Sequence, residues 1–311
     1  MLVVCAGRTF IAGADITEFG KPPKEPHLPD LCNTIEASSK PVVAALHGTA
    51  LGGGLEVALS CHYRCAVPGA KVGLPEVKLG LLPGAGGTQR LPRLIGASAA
   101  LDLMISGNPV DAASAADLGL IDHIVDGDPV DAAFAWCREL AAKDADQRRT
   151  SDLPADKIQP AVLEEYRGSL ARRVRGQIAP QKIVDCVEAA LTRPFAEGLQ
   201  IEREKFLECM QSPQSAALRH MFFAEREAAK VRGLPGDTPL REVNTVGVIG
   251  AGTMGSGIAM NFATAGMRVV LLEVNQEALD KGLGIVDRNY QGGVKRGKMS
   301  EEQARECRGR I

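Results

Sequence analysis

Aromatic residues are scarce, at 4% of the 311 residues, with one tryptophan and three tyrosines. That scarcity argues against a surface for single-stranded nucleic acid, which needs repeated aromatic platforms for base stacking. Charge of one sign is lacking too. Lys and Arg number 36 and Asp and Glu 38, a formal net charge of −2, so there is no basic footprint for a phosphate backbone or an anionic membrane. No apolar run reaches the roughly 18 residues that cross a bilayer. The opening Met1-Leu2-Val3-Val4-Cys5 is apolar but short and has no basic flank; it suits a buried strand rather than a secretory signal. Low-complexity tracts and short internal repeats are missing. The eight cysteines, at 5, 32, 61, 65, 137, 186, 209 and 307, are scattered through a chain too long to need disulfide staples, which suggests free thiols in a reducing compartment. Cys61-His62 and Cys65 lack a second ligand pair at a suitable spacing, so no metal site is expected.

What is present is an ordinary globular balance, 45% hydrophobic and 24% charged, at a length that suggests about two domains. The first 127 residues are glycine-rich and alternate short apolar strands with helices. Strands are expected at Leu2–Cys5, Val42–Leu46, Tyr63–Val67 and Ile121–Val125, and helices from Asp15, Gly54, Thr88 and Ser98 and over Ala112–Leu118. Such alternation predicts an α/β fold. From Pro129 to about Gly233 the pattern turns helical and charge-rich. Asp144–Lys157 looks like an exposed connection, and Arg172, Arg173 and Arg175 a solvated helix face. Further helices are expected over Pro180–Leu191, Phe195–Met210 and Pro213–Val231. Gly233-Leu234-Pro235-Gly236-Asp237-Thr238-Pro239 is the best linker, and a fresh strand follows at Val246–Ile249. The expected division is therefore 1–128, 129–240 and 241–311.

Three segments of the first part carry residues suited to chemistry. Phe10-Ile11-Ala12-Gly13-Ala14-Asp15-Ile16-Thr17-Glu18 has the Asp15–Glu18 spacing of a capping box; alone it is an ordinary helix start. Pro41–Glu56 runs a buried strand into Gly52-Gly53-Gly54 and a helix. Consecutive glycines admit a ligand to the backbone, and the helix start offers N–H groups, although a tight turn and a dipole partner at Glu56 account for the same residues. Gly73–Thr88 places Glu76 between Pro75 and an apolar, glycine-rich loop, where partial desolvation would raise its pKa and suit it to proton transfer. Together they supply two backbone N–H groups for an oxyanion and two glutamates for a proton and a water. Spacing alone does not bring them together in space.

The strings AGADI, GTALGGGLE and PEVKLGLLPGAGGTQRLPRLIG closely resemble the crotonase (enoyl-CoA hydratase/isomerase) superfamily, in order and in separation. By position, the resemblance implies that Ala14 and Gly53 provide the oxyanion-hole N–H groups. It makes Glu56 and Glu76 the paired acids, and Gly84 a backbone N–H near the catalytic water. Holding both glutamates favours hydration of a 2-trans-enoyl-CoA to the 3-hydroxyacyl-CoA over isomerisation alone. His47 falls where the family varies and is taken as structural.

Thr245–Gly255 gives G-x-G-x-x-G at Gly250, Gly252 and Gly255, after an apolar strand and opening a helix over Ser256–Ala265. A second strand, Arg268–Leu272, ends in Glu273, close to the offset of about 20 residues expected of a ribose-binding acid. Such an acid repels a 2′-phosphate and favours NAD. With the intervening helices, the order of parts resembles multifunctional β-oxidation enzymes, in which a hydratase half is joined to a 3-hydroxyacyl-CoA dehydrogenase half. The resemblance implies an α/β architecture: a crotonase-like ββα superhelix incomplete at its N-terminus, a helical linker and the beginning of a Rossmann fold. It also implies acyl-CoA thioesters as substrates, NAD in the parent enzyme, no metal, and a thiolase subunit as partner of the parent complex. The compartment would be the cytoplasm in a bacterium or the peroxisome in a eukaryote, although Arg308-Gly309-Arg310-Ile311 is not a peroxisomal address. Relative to that family, early strands and the later dehydrogenase motifs are missing. A fragment or truncated gene model is expected, with the dehydrogenase part inactive. An isomerase-dominant enzyme and a non-catalytic fragment are the competing readings.

Overall fold

In the computed structural model, the apolar stretches near residues 2 and 43 pair side by side. β1 (Leu2–Val3), β2 (Val43–Leu46), β4 (Tyr63–Ala66) and β7 (His123–Ile124) form a four-stranded parallel sheet in the order β1-β2-β4-β7. β3 (Thr49–Leu51), β5 (Lys71–Gly73) and β6 (Val110–Asp111) make a second sheet, with β3 and β5 parallel and β6 antiparallel. Residues 1–22, 25–155, 160–228, 230–231, 233–235, 237–239 and 241–311 are described. They divide into two units, Met1–Lys230 and Val231–Ile311.

β2 is apolar at every position because both of its faces are covered. Val42, Ala44 and Leu46 join the main core, while Val43 and Ala45 turn to a second cluster. Alternate side chains of a strand point to opposite faces, and a buried parallel strand therefore reads as a continuous apolar run. Among the described residues, ten helices accompany the sheets: α1 (Leu28–Glu36), α2 (Gly53–Ser60), α3 (Gly87–Ile95), α4 (Ala97–Ser106), α5 (Ala112–Asp117), α6 (Pro129–Ala142), α7 (Pro160–Arg173), α8 (Ala179–Thr192), α9 (Phe195–Met210) and α10 (Pro213–Ala228). α6 covers the second cluster with Ala133 and Trp136. The Trp136 ring stacks on His123 at 5.3 Å and meets Tyr63 edge-on at 6.2 Å.

Two arginines are fully buried, and every guanidinium nitrogen of both finds an acceptor. Arg64 donates to the carbonyls of Leu120 (2.9 Å) and Cys61 (2.8 Å) and to Asp122 (3.3 Å). Arg90 donates to Glu36 (2.8 Å), Asn33 (3.0 Å) and the Ala85 carbonyl (3.1 Å). A buried guanidinium is tolerable when its nitrogens are hydrogen-bonded and its charge is paired, here with Asp122 and Glu36. His62, beside Cys61, accepts the Val42 N–H through Nδ1 at 2.9 Å.

The structure departs from the sequence reading in two places. Asp15 starts a single 3-10 turn, Ile16–Glu18, rather than an α-helix; its carboxylate accepts the Thr17 N–H at 2.9 Å. Phe19 is already extended, and Lys21 precedes Pro22, which disfavours helical backbone. The stretch expected as an exposed connection at 144–157 is tied down where it is described. Thr150 is buried with its hydroxyl on the Leu59 carbonyl (3.1 Å), and the Ser151 N–H meets Glu36 at 2.9 Å. Residues 156–157 of that stretch, Ala229 of the helix expected to reach Val231, and Gly236 of the expected linker lie outside the described residues. The helices expected after Pro129 share the main core: Leu163, Leu170, Ile183, Val184, Val187 and Cys209 pack with Leu46, Leu55 and Leu91. An apolar face must be covered, and here the sheet-bearing half covers it.

The second unit pairs β8 (Thr245–Ile249) with β9 (Arg268–Leu272) in parallel over five residues. α11 (Thr253–Thr264), α12 (Gln276–Lys295) and α13 (Glu301–Gly309) accompany them. Val248, Ala259, Ala263 and Val269 make a small core. No described helix is long and apolar enough to cross a membrane.

Candidate active site

Residues 10–14 run beside β3. Ile11 bridges Ala50 in parallel, the Leu51 N–H donates to the Ile11 carbonyl at 3.0 Å, and the Phe10 N–H donates to His47 at 2.9 Å. This pairing carries Ala14 to the start of α2, where a Cβ on Gly53 would lie 3.9 Å from the Ala14 nitrogen. The three glycines there are required for three different reasons. Gly52 has φ +54°, and a Cβ on it would sit 2.9 Å from a Glu76 carboxylate oxygen. A Cβ on Gly53 would press on the Leu28 side chain at 2.7 Å, and one on Gly54 would strike the Ile11 carbonyl at 2.1 Å. The close approach of two backbone segments fixes the sequence here.

Glu56 follows in the first turn of α2 and is 3% exposed. Its Oε1 accepts the N–H groups of Ala85 (2.7 Å) and Gly87 (2.8 Å). Both belong to the glycine-rich turn that opens α3, where Gly86 adopts φ +99°. The intervening amides go elsewhere: Gly86 donates to Glu202 Oε1 at 2.6 Å and Thr88 to Glu202 Oε2 at 3.0 Å. The Thr88 hydroxyl adds a third bond to Glu202 at 2.5 Å. Helix starts leave N–H groups without intrahelical partners; at α3 two buried carboxylates take them alternately.

Glu76 lies in a 3-10 turn, Pro75–Leu79, closed by Gly80 at φ +65°. One of its oxygens faces Gly52, and the other, Oε2, is buried without a hydrogen-bond partner. α10 supports this turn through Ser215, whose hydroxyl donates to the Leu79 carbonyl at 2.9 Å. Gly84 packs against Phe206 of α9, close enough that a Cβ there would come within 2.5 Å of the ring. His47 contacts the Gly7 carbonyl at 3.2 Å.

The electrostatics follow from burial. Desolvation raises the Glu56 pKa, opposed by the Ala85 and Gly87 N–H groups and by Arg90. Desolvation holds Glu76 well above its ordinary value, and the neighbouring Glu56 and Glu202 charges add to the rise. Glu202 is pushed up to about 8 by desolvation and by Glu56, against its three hydrogen bonds. Three acids thus share one low-dielectric region that does not favour three charges.

In the second unit, Gly250 has φ +91°, and a Cβ on Gly250 or Gly252 would meet nothing within 4 Å. The loop is open on that side. Gly255 has no such freedom: its Cβ would lie 1.8 Å from the Gly250 carbonyl. Glu273 accepts the N–H groups of Ala251 (2.6 Å) and Val274 (2.9 Å), which hold its pKa down. Gly250, Gly252, Gly255 and Glu273 therefore gather at one end of β8 and β9.

The residues that sequence reasoning missed are Glu202, Phe206 and Ser215. A trace of Glu202 exists in hindsight. Gly198, Glu202 and Phe206 are four apart and share a helix face, and Gly198 sits so tightly on Gln89 that a Cβ would come within 2.0 Å of its Oε1. An acid inside such a stripe is an unusual feature of a solvated linker helix.

The family model for enoyl-CoA hydratase/isomerase matches residues 2–167, and the chain belongs to that family. A second model, the NAD-binding domain of 3-hydroxyacyl-CoA dehydrogenase, matches residues 245–311. Among individual relatives, the peroxisomal bifunctional enzyme of Danio rerio is 41% identical over 93% of this chain and 42% of its own length. The human enzyme of the same name is 41% identical over 89% of this chain and 40% of its own. A glyoxysomal fatty acid β-oxidation multifunctional protein of Brassica napus is 38% identical over 97% and 44%. The chain thus spans about two fifths of the length of these relatives. A carnitinyl-CoA dehydratase from Mycobacterium avium 104 is similar in structure at 27% identity, over 69% of this chain and 75% of that one. Its TM-score of 0.48 is too low to place individual residues.

Proposed function

We propose that residues 1–230 hydrate 2-enoyl-CoA thioesters to 3-hydroxyacyl-CoA. One observation carries the reading: a buried glutamate in the first turn of α2 and a half-buried one in the 3-10 turn after β5 adjoin the start of α2 in unequal environments. Glu56 is held by two amides, which favour the ionised form, whereas the Oε2 of Glu76 is buried and unpaired, which favours the neutral form. Glu56 is then the base and Glu76 the acid. The thioester carbonyl would lie against the Ala14 and Gly53 N–H groups, which stabilise negative charge as it develops on oxygen. Water forms a bond to C3 and gives one proton to Glu56; Glu76 gives its proton to C2. Returning a proton from Glu56 to Glu76 resets the pair. Gly84, next to the Ala85 amide, lies on the same loop and would present its N–H towards the water.

Gly250, Gly252, Gly255 and Glu273 suit one end of NAD: open space above two glycines, a helix start at Gly252, and an ionised acid for ribose hydroxyls. NAD, when bound in the full-length enzyme, would accept hydride from the 3-hydroxyacyl product. The acyl-CoA class is supported by the family, and the peroxisome by the names of the relatives should the source be eukaryotic.

The test is crotonyl-CoA supplied to the purified chain, following the loss of conjugated-thioester absorbance. Hydration that disappears in Glu76→Gln is the expected result. A folded chain without turnover would overturn the reading in favour of a non-catalytic one. Turnover of a 3-enoyl-CoA faster than crotonyl-CoA would overturn it in favour of isomerisation.

A further inference from the structure

We propose that Glu202 is a positioning residue for this chemistry: from α9 it clamps the Ala85–Thr88 turn, and that turn aims the Glu56 carboxylate. The inference rests on the hydratase reading of the same site. Four successive amides alternate between two acids, 85 and 87 to Glu56 and 86 and 88 to Glu202. Each peptide plane in the turn carries a donor for one acid and adjoins a donor for the other. Glu202 therefore cannot move without rotating the planes that hold Glu56. Both Glu202 oxygens are engaged, and the residue is 1% exposed, so it acts through the turn rather than on a substrate.

The clamp is itself fixed. Gly198, one turn before Glu202, is in contact with Gln89 of α3, whose side chain donates to the Cys186 carbonyl of α8 at 2.9 Å. Phe206, one turn after it, closes on Gly84. A site held to fractions of an ångström needs such support from rigid elements. The titratable groups facing Glu202 are Glu56 from α2, Glu76 from its 3-10 turn and Cys186 from α8. Arg90, farther along α3, faces Glu56 and is already paired with Glu36. Negative charge on Glu202, which builds up as pH rises through about 8, raises the Glu76 pKa, so the clamp delays ionisation of the acid on the alkaline side.

Glu202→Gln sets an amide NH2 against backbone N–H donors and removes the charge. The expected result with crotonyl-CoA is a kcat lower by roughly 10- to 100-fold with KM within about threefold, the size of a loss through misaligned groups. The alkaline limb of the rate profile should also move to lower pH, because Glu76 loses a neighbour that favours its protonated form. Thr88→Val, which removes the hydroxyl bond to Glu202 and the bond that hydroxyl accepts from Gln89, should shift the limb the same way by less, and it covers the case in which Glu202→Gln fails to fold. An unchanged kcat and limb in both variants would overturn the proposal. If the unaltered chain does not hydrate crotonyl-CoA, the hydratase reading alone fails, and the clamp is judged without turnover. Amide exchange at Ala85 and Gly87 and a carboxyl-carbon NMR titration of the glutamates then decide. Faster exchange and a lower Glu76 step in the variants support the clamp; no change in either removes it.

Discussion

Glu56 and Glu273 each receive two backbone N–H groups beside a glycine-rich turn that opens a helix, yet burial leaves the first above the ordinary carboxylate range and the second lies below it. At both sites the two donors favour the ionised form. What differs is water. Glu56 is 3% exposed, and burying an ion costs several kcal/mol even after relaxation. Glu273 stands at the open end of a two-stranded sheet where Ile249 is 87% and Val274 89% exposed. Equal donor counts thus accompany a raised carboxyl pKa in one unit and a lowered one in the other. Donor count is a poor guide to acidity unless burial is counted with it.

The comparison breaks most decisively by neutralising each acid. Glu56→Gln should lower crotonyl-CoA hydration by roughly 10²–10⁴-fold, the usual contribution of a positioned base, while Glu273→Gln should leave it unchanged; equal losses would mean that the two acids are not distinct in role. The glycines offer a smaller effect. Gly54→Ala drives a Cβ into the Ile11 carbonyl and should destabilise the first unit by about 1–3 kcal/mol in denaturant unfolding. Gly252→Ala meets open space at φ −67° and should stay within about 0.5 kcal/mol.

The smallest effect is a pair of opposite pH slopes, read by segment-resolved amide exchange. Glu202 has an ordinary value of 4.5 and a folded value of about 8. A raised acid contributes stability that is complete below about 4.5 and lost as pH rises through 8, so protection around α3 and α9 should fall from pH 5 to pH 9. Glu273 is depressed. Its contribution is present above its ordinary value and lost as pH falls, so protection around β8 should weaken only on the acid side. Parallel slopes in the two units would show that burial is not what separates them.

Much of this was legible in the sequence. The bounds of α9 and β9 match those expected, and β2 announces itself as a run of apolar residues because both faces are covered. The glycine motifs marked the two turns, since positive φ and close backbone approach leave glycine as the residue that fits. β3, β5 and β6 left no periodic signal; with two or three residues each, they exist because neighbours hold them. Glu202 was hidden for a related reason. It lies more than a hundred residues from Gly86 along the chain, and one acid on a charge-rich helix resembles its solvated neighbours until the partner turn is in place. The apolar face of the helices that follow Pro129 was hidden on the same ground, because charge density along a helix does not reveal which face is covered.

Trp136, stacked on His123 and set edge-on to Tyr63, is the sole indole of the chain. Its emission therefore tracks the neighbourhood of β7 and α6, and residues 231–311 contribute no such signal. A denaturation curve recorded by fluorescence would follow the hydratase-type half, whereas far-ultraviolet dichroism would sum the helices of both. Two midpoints in one sample would give separate unfolding free energies for the two halves without cutting the polypeptide.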